Sequence, residues 1–160
     1  MSNYNPDPAC SADRQATAAR LWNLRTRLLS LAAIQSDRLV NEKLARAGAR
    51  KWHYAVLATL DEFGPASQAE LVSRTGIYRS DMVTVINELA DRELVKRSPN
   101  PADRRQNVIT LTRQGQRQLL KLDKLLSEAE SDVLAPLTPP EREQLARLLA
   151  VLVQHHGHGM

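Results

Sequence analysis

Asp103, Arg104 and Arg105 stand side by side in the stretch NPADRRQNVITLT, residues 100–112, with Pro99 and Pro101 just ahead of them. A guanidinium is a planar fork of donors that matches phosphate oxygens and the acceptor edges of bases, and two in succession make a cationic point. Proline limits the freedom of the backbone leading to that point. An acid beside it has two uses: to accept from a backbone amide of the turn, or to hold one of the arginines. Asp103 is therefore expected to fix the loop, and one or both of Arg104 and Arg105 to meet an anionic partner. Which arginine inserts and which braces is left open. Lys96 and Arg97 ahead of the loop and Arg113 behind it are further phosphate-contact candidates.

A second group is Tyr78, Arg79, Ser80, Asp81, Thr84 and Asn87. Arg79 can donate to guanine or phosphate, Ser80 and Thr84 to phosphate or bases, and Asn87 to phosphate or, with enough reach, to adenine. Asp81 would be repelled by phosphate, so its uses are to accept from a cytosine amine or to hold an arginine. The competing account of each is an exposed helix face. A third group pairs aromatic rings with cations: Trp22 with Arg25, and Trp52, His53 and Tyr54 in succession. Such a wall could hold an anionic phenol or carboxylate; alternatively the tryptophans are core or dimer contacts and His53 a satisfied interior histidine.

Other chemistries lack their residues. There is no glycine-rich phosphate loop, HExxH or nucleophile elbow, so the chain does not read as an enzyme, and no cofactor is expected. A lone cysteine, Cys10, excludes an internal disulfide framework, and no fixed base or helix start lies near it to activate the thiol. His155, His156 and His158 end the chain beside glycines with no acid or cysteine to complete a metal site, so no metal is expected.

The elements that must position these groups follow from periodicity. The chain has 160 residues, 42% apolar and 25% charged, which fits one globular domain. Aromatics are only 4%, so the core must be mainly aliphatic. The net charge of +4 is uneven: residues 92–117 carry seven Lys/Arg against two Asp/Glu, a net of +5, leaving −1 for the rest. A local basic patch is the footprint of a polyanion partner or a solvated basic surface. No leader-like or membrane-length apolar run occurs, which favours a cytoplasmic protein without membrane contact.

Residues 1–11 read as a disordered tail. A helix is expected over 12–47, with Leu21, Leu24, Leu28, Leu31 and Ile34 on one face, and another over 49–63, with Trp52, Val56 and Leu60. Ser67 and Glu70 form a capping box for a short helix that Gly76 closes. The next helix, over 79–92, buries Met82, Val83, Ile86, Leu89 and Ala90. Two strands follow, ELVKRS and NVITLT. Thr112 caps a helix over 113–134 with a stripe of Leu119, Leu122, Leu125 and Leu126. Thr138, Pro139 and Glu141 start the last helix, which carries Leu145, Leu148, Leu149 and Leu152 to about residue 154.

Helix, tight turn, helix and hairpin in this order make a winged helix-turn-helix. Its second helix suits the major groove of B-DNA, and a thin arginine tip suits the narrow minor groove beside it. DRRQNVITLTRQG resembles the wing signature of the MarR family of transcription regulators: Asp103, Arg105, Leu111, Thr112 and Gly115 match. SQAELVSRTGIYRSDMVTVINELADRELVKR is similar to that family's helix-turn-helix, and the resemblance covers about residues 20–155. It departs at Tyr78, where a small capping residue is common.

The resemblance implies a mainly α fold with a small antiparallel β-hairpin wing, residues 12–160 forming one domain. The winged helix-turn-helix would span about 49–112, between dimerisation helices at about 12–47 and 113–154. It implies a homodimer that grips a pseudo-palindromic double-stranded operator, commonly as a repressor, with release by a small aromatic or anionic effector held near Trp22, Arg25, Trp52, His53 and Tyr54. A rival reading is a winged-helix module whose basic wing docks an acidic protein partner.

Overall fold

The computed structural model describes residues 18–157. The expected tail, Cys10, the first turns of the helix expected from residue 12, and His158 lie outside them. The described residues fall into two compact units, one ending at Arg38 and one beginning at Leu39.

The first unit holds α1 (Ala19–Trp22) and the first part of α2 (Arg25–Ala45). The continuous helix expected here is thus interrupted at Asn23, which ends α1. Asparagine competes for backbone hydrogen bonds and favours helix ends, a local effect that the leucine spacing does not register. Leu21, Leu24, Leu28, Leu31 and Ile34 are all exposed, by 37–61%.

The second unit contains the end of α2, then α3 (Lys51–Phe63), β1 (Ala66–Ser67), α4 (Gln68–Thr75), α5 (Arg79–Asp91), β2 (Val95–Pro99), β3 (Asn107–Leu111), α6 (Arg113–Val133) and α7 (Pro139–His156). Its core is aliphatic: Leu44, Leu57, Leu71, Met82, Ile86, Leu89, Ile109 and Leu122 are wholly or almost wholly buried. Each such side chain contributes about 1.5–3 kcal/mol by leaving water. On α6, Leu119 and Leu122 join this core. On α7 no residue is buried, and Leu148, Val151, Leu152 and Val153 stay exposed.

Three expectations need correction. The buried side of α5 is Met82, Val85, Ile86 and Leu89, which follows the i, i+3, i+4, i+7 stripe; Val83 is 42% exposed and Ala90 only half-buried. Trp52 is exposed, while Val56 and Leu60 behind it are buried. The sheet has three strands, in the order β1-β3-β2, rather than two. Ala66 pairs with Ile109 and Ser67 with Val108, and two residues are too few for alternation to be seen in sequence.

Helix ends follow their local chemistry. Ser67 Oγ accepts from the Glu70 amide at 3.3 Å, and Glu70 accepts from the Ser67 amide at 2.7 Å. At the start of α7, Glu141 Oε2 accepts from both the amide and the hydroxyl of Thr138, each at 2.8 Å. Thr112 Oγ1 accepts from the Gly115 amide at 2.9 Å and donates to the Glu93 and Leu94 carbonyls. This one side chain joins the end of β3 to the start of α6 and to the strand entry after α5. Among the described residues no helix is long and apolar enough to cross a membrane.

Candidate nucleic-acid interface

The helix-turn-helix is α4, residues 76–78 and α5. Gly76 takes φ +70 and closes α4, a left-handed conformation that costs a residue with a Cβ. The Thr75 hydroxyl accepts from the Ile77 amide, and Ile77 is buried, so the turn is anchored from inside. Tyr78 is the N-cap residue of α5, with no capping bond from its side chain, and its ring is 76% exposed. Arg79, Ser80, Thr84 and Asn87 are exposed, and Asp81 is half-buried. Asp81 lies in the first turn of α5, where an acid complements the helix dipole.

The wing is β2, residues 100–106 and β3, paired in register from Val95 with Leu111 to Pro99 with Asn107. Its tip is fixed by the chain's own polar groups. Asn100 donates its amide to the Gln106 carbonyl at 2.8 Å, and the Asn100 side chain accepts from the Ala102 amide. Asp103 Oδ1 accepts from the backbone amide of Arg105 at 3.0 Å. Lys96, Arg97, Asp103, Arg104 and Arg105 are all exposed.

Between wing and α5 runs an open groove of about 470 Å³, lined by Arg79, Val83 and Asn87 from α5, Arg97, Arg105, Gln106 and Asn107 from the wing, and Ser67, Gln68 and Ala69 from the start of α4. Four of the residues singled out from the sequence, Arg79, Asn87, Arg97 and Arg105, thus share one concave surface. Tyr78, Ser80, Asp81, Thr84, Lys96, Asp103 and Arg104 are not among its lining. The start of α4, Gln106 and Asn107 were not anticipated. A helix start offers backbone amides to an anion, and the capping box that marks this one in sequence was the available signal. Within the groove, the Arg97 guanidinium donates to Asn87 Oδ1.

Behind α5 lies a second polar assembly. His53 is 5% exposed. Its Nδ1 accepts from the Arg50 amide at 3.1 Å, so the neutral ring carries its proton on Nε2, which lies 2.6 Å from Glu88 Oε2. The Arg50 guanidinium pairs with the same carboxylate. Burial holds His53 below the usual histidine range despite the bond to Glu88, and the bonds from His53 and Arg50 hold Glu88 below the usual carboxylate range. Nearby, Arg92 donates to the Gly48 and Ala47 carbonyls at 2.7 and 3.2 Å. The turn before α3 and the start of α3 are therefore fastened to α5 at two points. Neither Arg50 nor Glu88 was singled out from the sequence; the two are 38 residues apart, beyond any local pattern.

Of the aromatic group, Tyr54 donates to Asp123 Oδ1 at 2.9 Å, and burial with that bond raises its pKa. Trp52, His53 and Tyr54 belong to the second unit, Trp22 and Arg25 to the first. Among the described residues no group of His, Cys, Asp and Glu has the make-up of a metal site.

A three-stranded winged helix-turn-helix with an arginine-lined groove defines the class: a winged-helix protein with a basic recognition face. The MarR family pattern matches residues 48–106, which hold α3, the helix-turn-helix and most of the wing. The chain belongs to the MarR family. It is 39% identical over 62 residues to the HTH-type transcriptional repressor NicR of Pseudomonas putida, a match spanning 39% of each protein. A probable transcriptional regulator from Pseudomonas aeruginosa is 30% identical, with a TM-score of 0.73 over 82% of this chain and 98% of that one. BpsR of Bordetella bronchiseptica, whose DNA binding is regulated by 6-hydroxynicotinic acid, is 25% identical, with a TM-score of 0.72 over 81% of this chain and 93% of that one.

Proposed function

We propose that this protein is a sequence-specific double-stranded DNA-binding regulator, a homodimeric repressor released from its operator by a small aromatic or anionic ligand. The observation that carries the reading is the groove in which Arg79 and Asn87 of α5 face Arg97 and Arg105 of the wing. α5 enters the major groove with Arg79 foremost, and Tyr78, Ser80 and Thr84 meet backbone or base edges beside it. Asp81 stays at the helix start as a dipole partner or arginine brace. Lys96 and Arg97 flank the phosphates. Arg105 lines the groove toward α5, which leaves Arg104, outside that lining, to enter the minor groove, while Asp103 keeps the tip folded. Such a protein acts where the DNA is, in the cytoplasm, and carries out no turnover.

The homodimer is supported by apolar side chains left in water in each unit: Leu24, Leu28 and Ile34 in the first, and Leu148, Val151 and Leu152 in the second. Exposed apolar stripes of this kind mark association surfaces. Two copies would then address half-sites about 34 Å apart.

The effector reading draws on BpsR, whose regulator is an aromatic carboxylate. In the second unit, an anion drawn to Arg50 and His53 would compete with Glu88 and loosen the hold on α5, with Trp52, exposed one residue before His53, as the candidate ring. Tyr54, already tied to Asp123, would line that approach. Trp22 and Arg25, a ring and a guanidinium three residues apart, are effector candidates by their chemistry. The test is selection of duplexes from a random pool by the full chain. A pseudo-palindrome bound by two copies is expected; recovery of no common sequence would remove the reading.

A further inference from the structure

We infer that Arg97 is a specificity-positioning residue, which turns Asn87 into a reader of guanine or thymine edges rather than of adenine. The inference rests on the DNA-binding reading above and concerns how one position in each half-site is chosen. Asn87 follows Arg79 and Val83 at four-residue steps, so the three share one face of α5, and all three line the groove. Asn87 is exposed, and it is the last of the three along the helix.

Arg97 stands mid-strand on β2, paired with Ile109 of β3, so its backbone is held by the sheet. Its guanidinium donates to Asn87 Oδ1. Arginine has donors and no acceptor, so the amide atom that faces it must be the carbonyl oxygen. The orientation of the Asn87 amide is therefore set by chemistry, and its NH₂ is the group left to meet DNA.

That distinction decides which base suits it. Adenine is read by an asparagine that uses both ends, the carbonyl accepting from N6–H and the NH₂ donating to N7. A bond from a charged donor is about twice as strong as a neutral one, and it would have to be given up or shared for Asn87 to accept from adenine. An NH₂ alone meets N7 and O6 of guanine or O4 of thymine without disturbing Arg97, whereas at adenine it reaches N7 only and leaves the N6–H donor unmet. Arg97 thus acts through Asn87, and the role expected for it as a simple phosphate contact becomes secondary.

The experiment is duplex selection with the full-length protein, followed by competition binding of single-base operator variants, for wild type, Asn87→Ala, Arg97→Ala and Arg97→Lys. Wild type should prefer guanine or thymine at one position per half-site by about fivefold or more, the lower end of what a mismatched pair costs. Asn87→Ala should erase that preference. Arg97→Ala should move it toward adenine, and Arg97→Lys, which keeps a charged donor, should retain it. A simple phosphate contact would instead weaken every sequence alike. A wild-type preference for adenine at the Asn87-dependent position overturns the inference, as does a preference indifferent to Asn87 or to Arg97. Absence of any duplex binding by wild type at low salt would instead remove the DNA-binding reading beneath it.

Discussion

His53 on α3 and Glu88 on α5 meet at 2.6 Å, with the Arg50 guanidinium on the same carboxylate and the Arg50 amide on the other ring nitrogen. A second proton on the ring would have to go on Nδ1, where the Arg50 amide already points its hydrogen. The buried ring therefore stays neutral, and its pKa is lowered by burial. The folded state then binds fewer protons than the unfolded state between the lowered pKa and about 6.5, so stability is lost as pH falls through that window and is level above it. Melting temperature should drop as pH goes from about 7 to 5.5, and His53→Asn should flatten that drop. An equally steep drop in the variant would show that other groups govern it. The Glu88 carboxylate acts in a separate, lower window, its stabilising effect lost as pH falls below the ordinary carboxylate range.

Gly115 is fixed by space. A Cβ there would lie 2.1 Å from the Leu94 carbonyl oxygen and 2.6 Å from Leu111 Cδ1, and the first of these is backbone. Gly115→Ala should cost about 1–3 kcal/mol or more from overpacking, lowering the melting temperature by roughly 2–4 °C per kcal/mol. Gly157→Ala, with open space around it, is the control and should change little. Equal melting curves for the two variants would contradict this packing.

Thr112 both caps α6 and reaches the carbonyls of Glu93 and Leu94. Thr112→Val keeps the volume and removes every one of these bonds, so a destabilisation of about 0.5–2 kcal/mol is expected in denaturant unfolding. Ser67→Ala should cost a comparable amount at α4. A Thr112→Val protein as stable as wild type would show the cap to be dispensable.

These residues mark what the sequence makes legible. Ser67, Gly76, Thr112 and Thr138 signal helix ends because a cap is a local arrangement between neighbours. The stripe on α6 and the alternation in the wing place those elements for the same reason. The spacing of the wing signature points to Gly115, but its cause, the Leu94 carbonyl, comes from outside that signature. β1 is too short to show a period, and Glu93 takes φ +57 with no residue type to announce it. Val83 and Val85 are the same residue type, and the helical period, which favours Val85, separates them as the packing does. The clamp from Arg50 and His53 to Glu88 and the bond from Arg97 to Asn87 join residues from different elements, and no local pattern encodes such a meeting. The arginines of the recognition face were legible by type, while their shared groove was not.

Aromatic carboxylates, 6-hydroxynicotinic acid among them, should raise the melting temperature and release bound duplex. Both effects should weaken in His53→Ala and in Arg25→Ala. A set of such acids with no effect would remove the effector reading, and an effect indifferent to one variant would remove that residue as an effector contact.

If the groove and wing read duplex DNA, the most direct measurement is the affinity for a selected operator as salt is varied. Counterion release predicts a steep fall, with a slope of about −0.9 for each phosphate neutralised. Arg104→Ala with Arg105→Ala should cost about 1–3 kcal/mol for each arginine that reaches a base edge, and should make the slope shallower by about one for each phosphate that the pair no longer neutralises. An affinity that ignores salt, a double variant that binds like wild type, or no duplex binding even at low salt would contradict the account and favour an acidic protein as the partner of the wing.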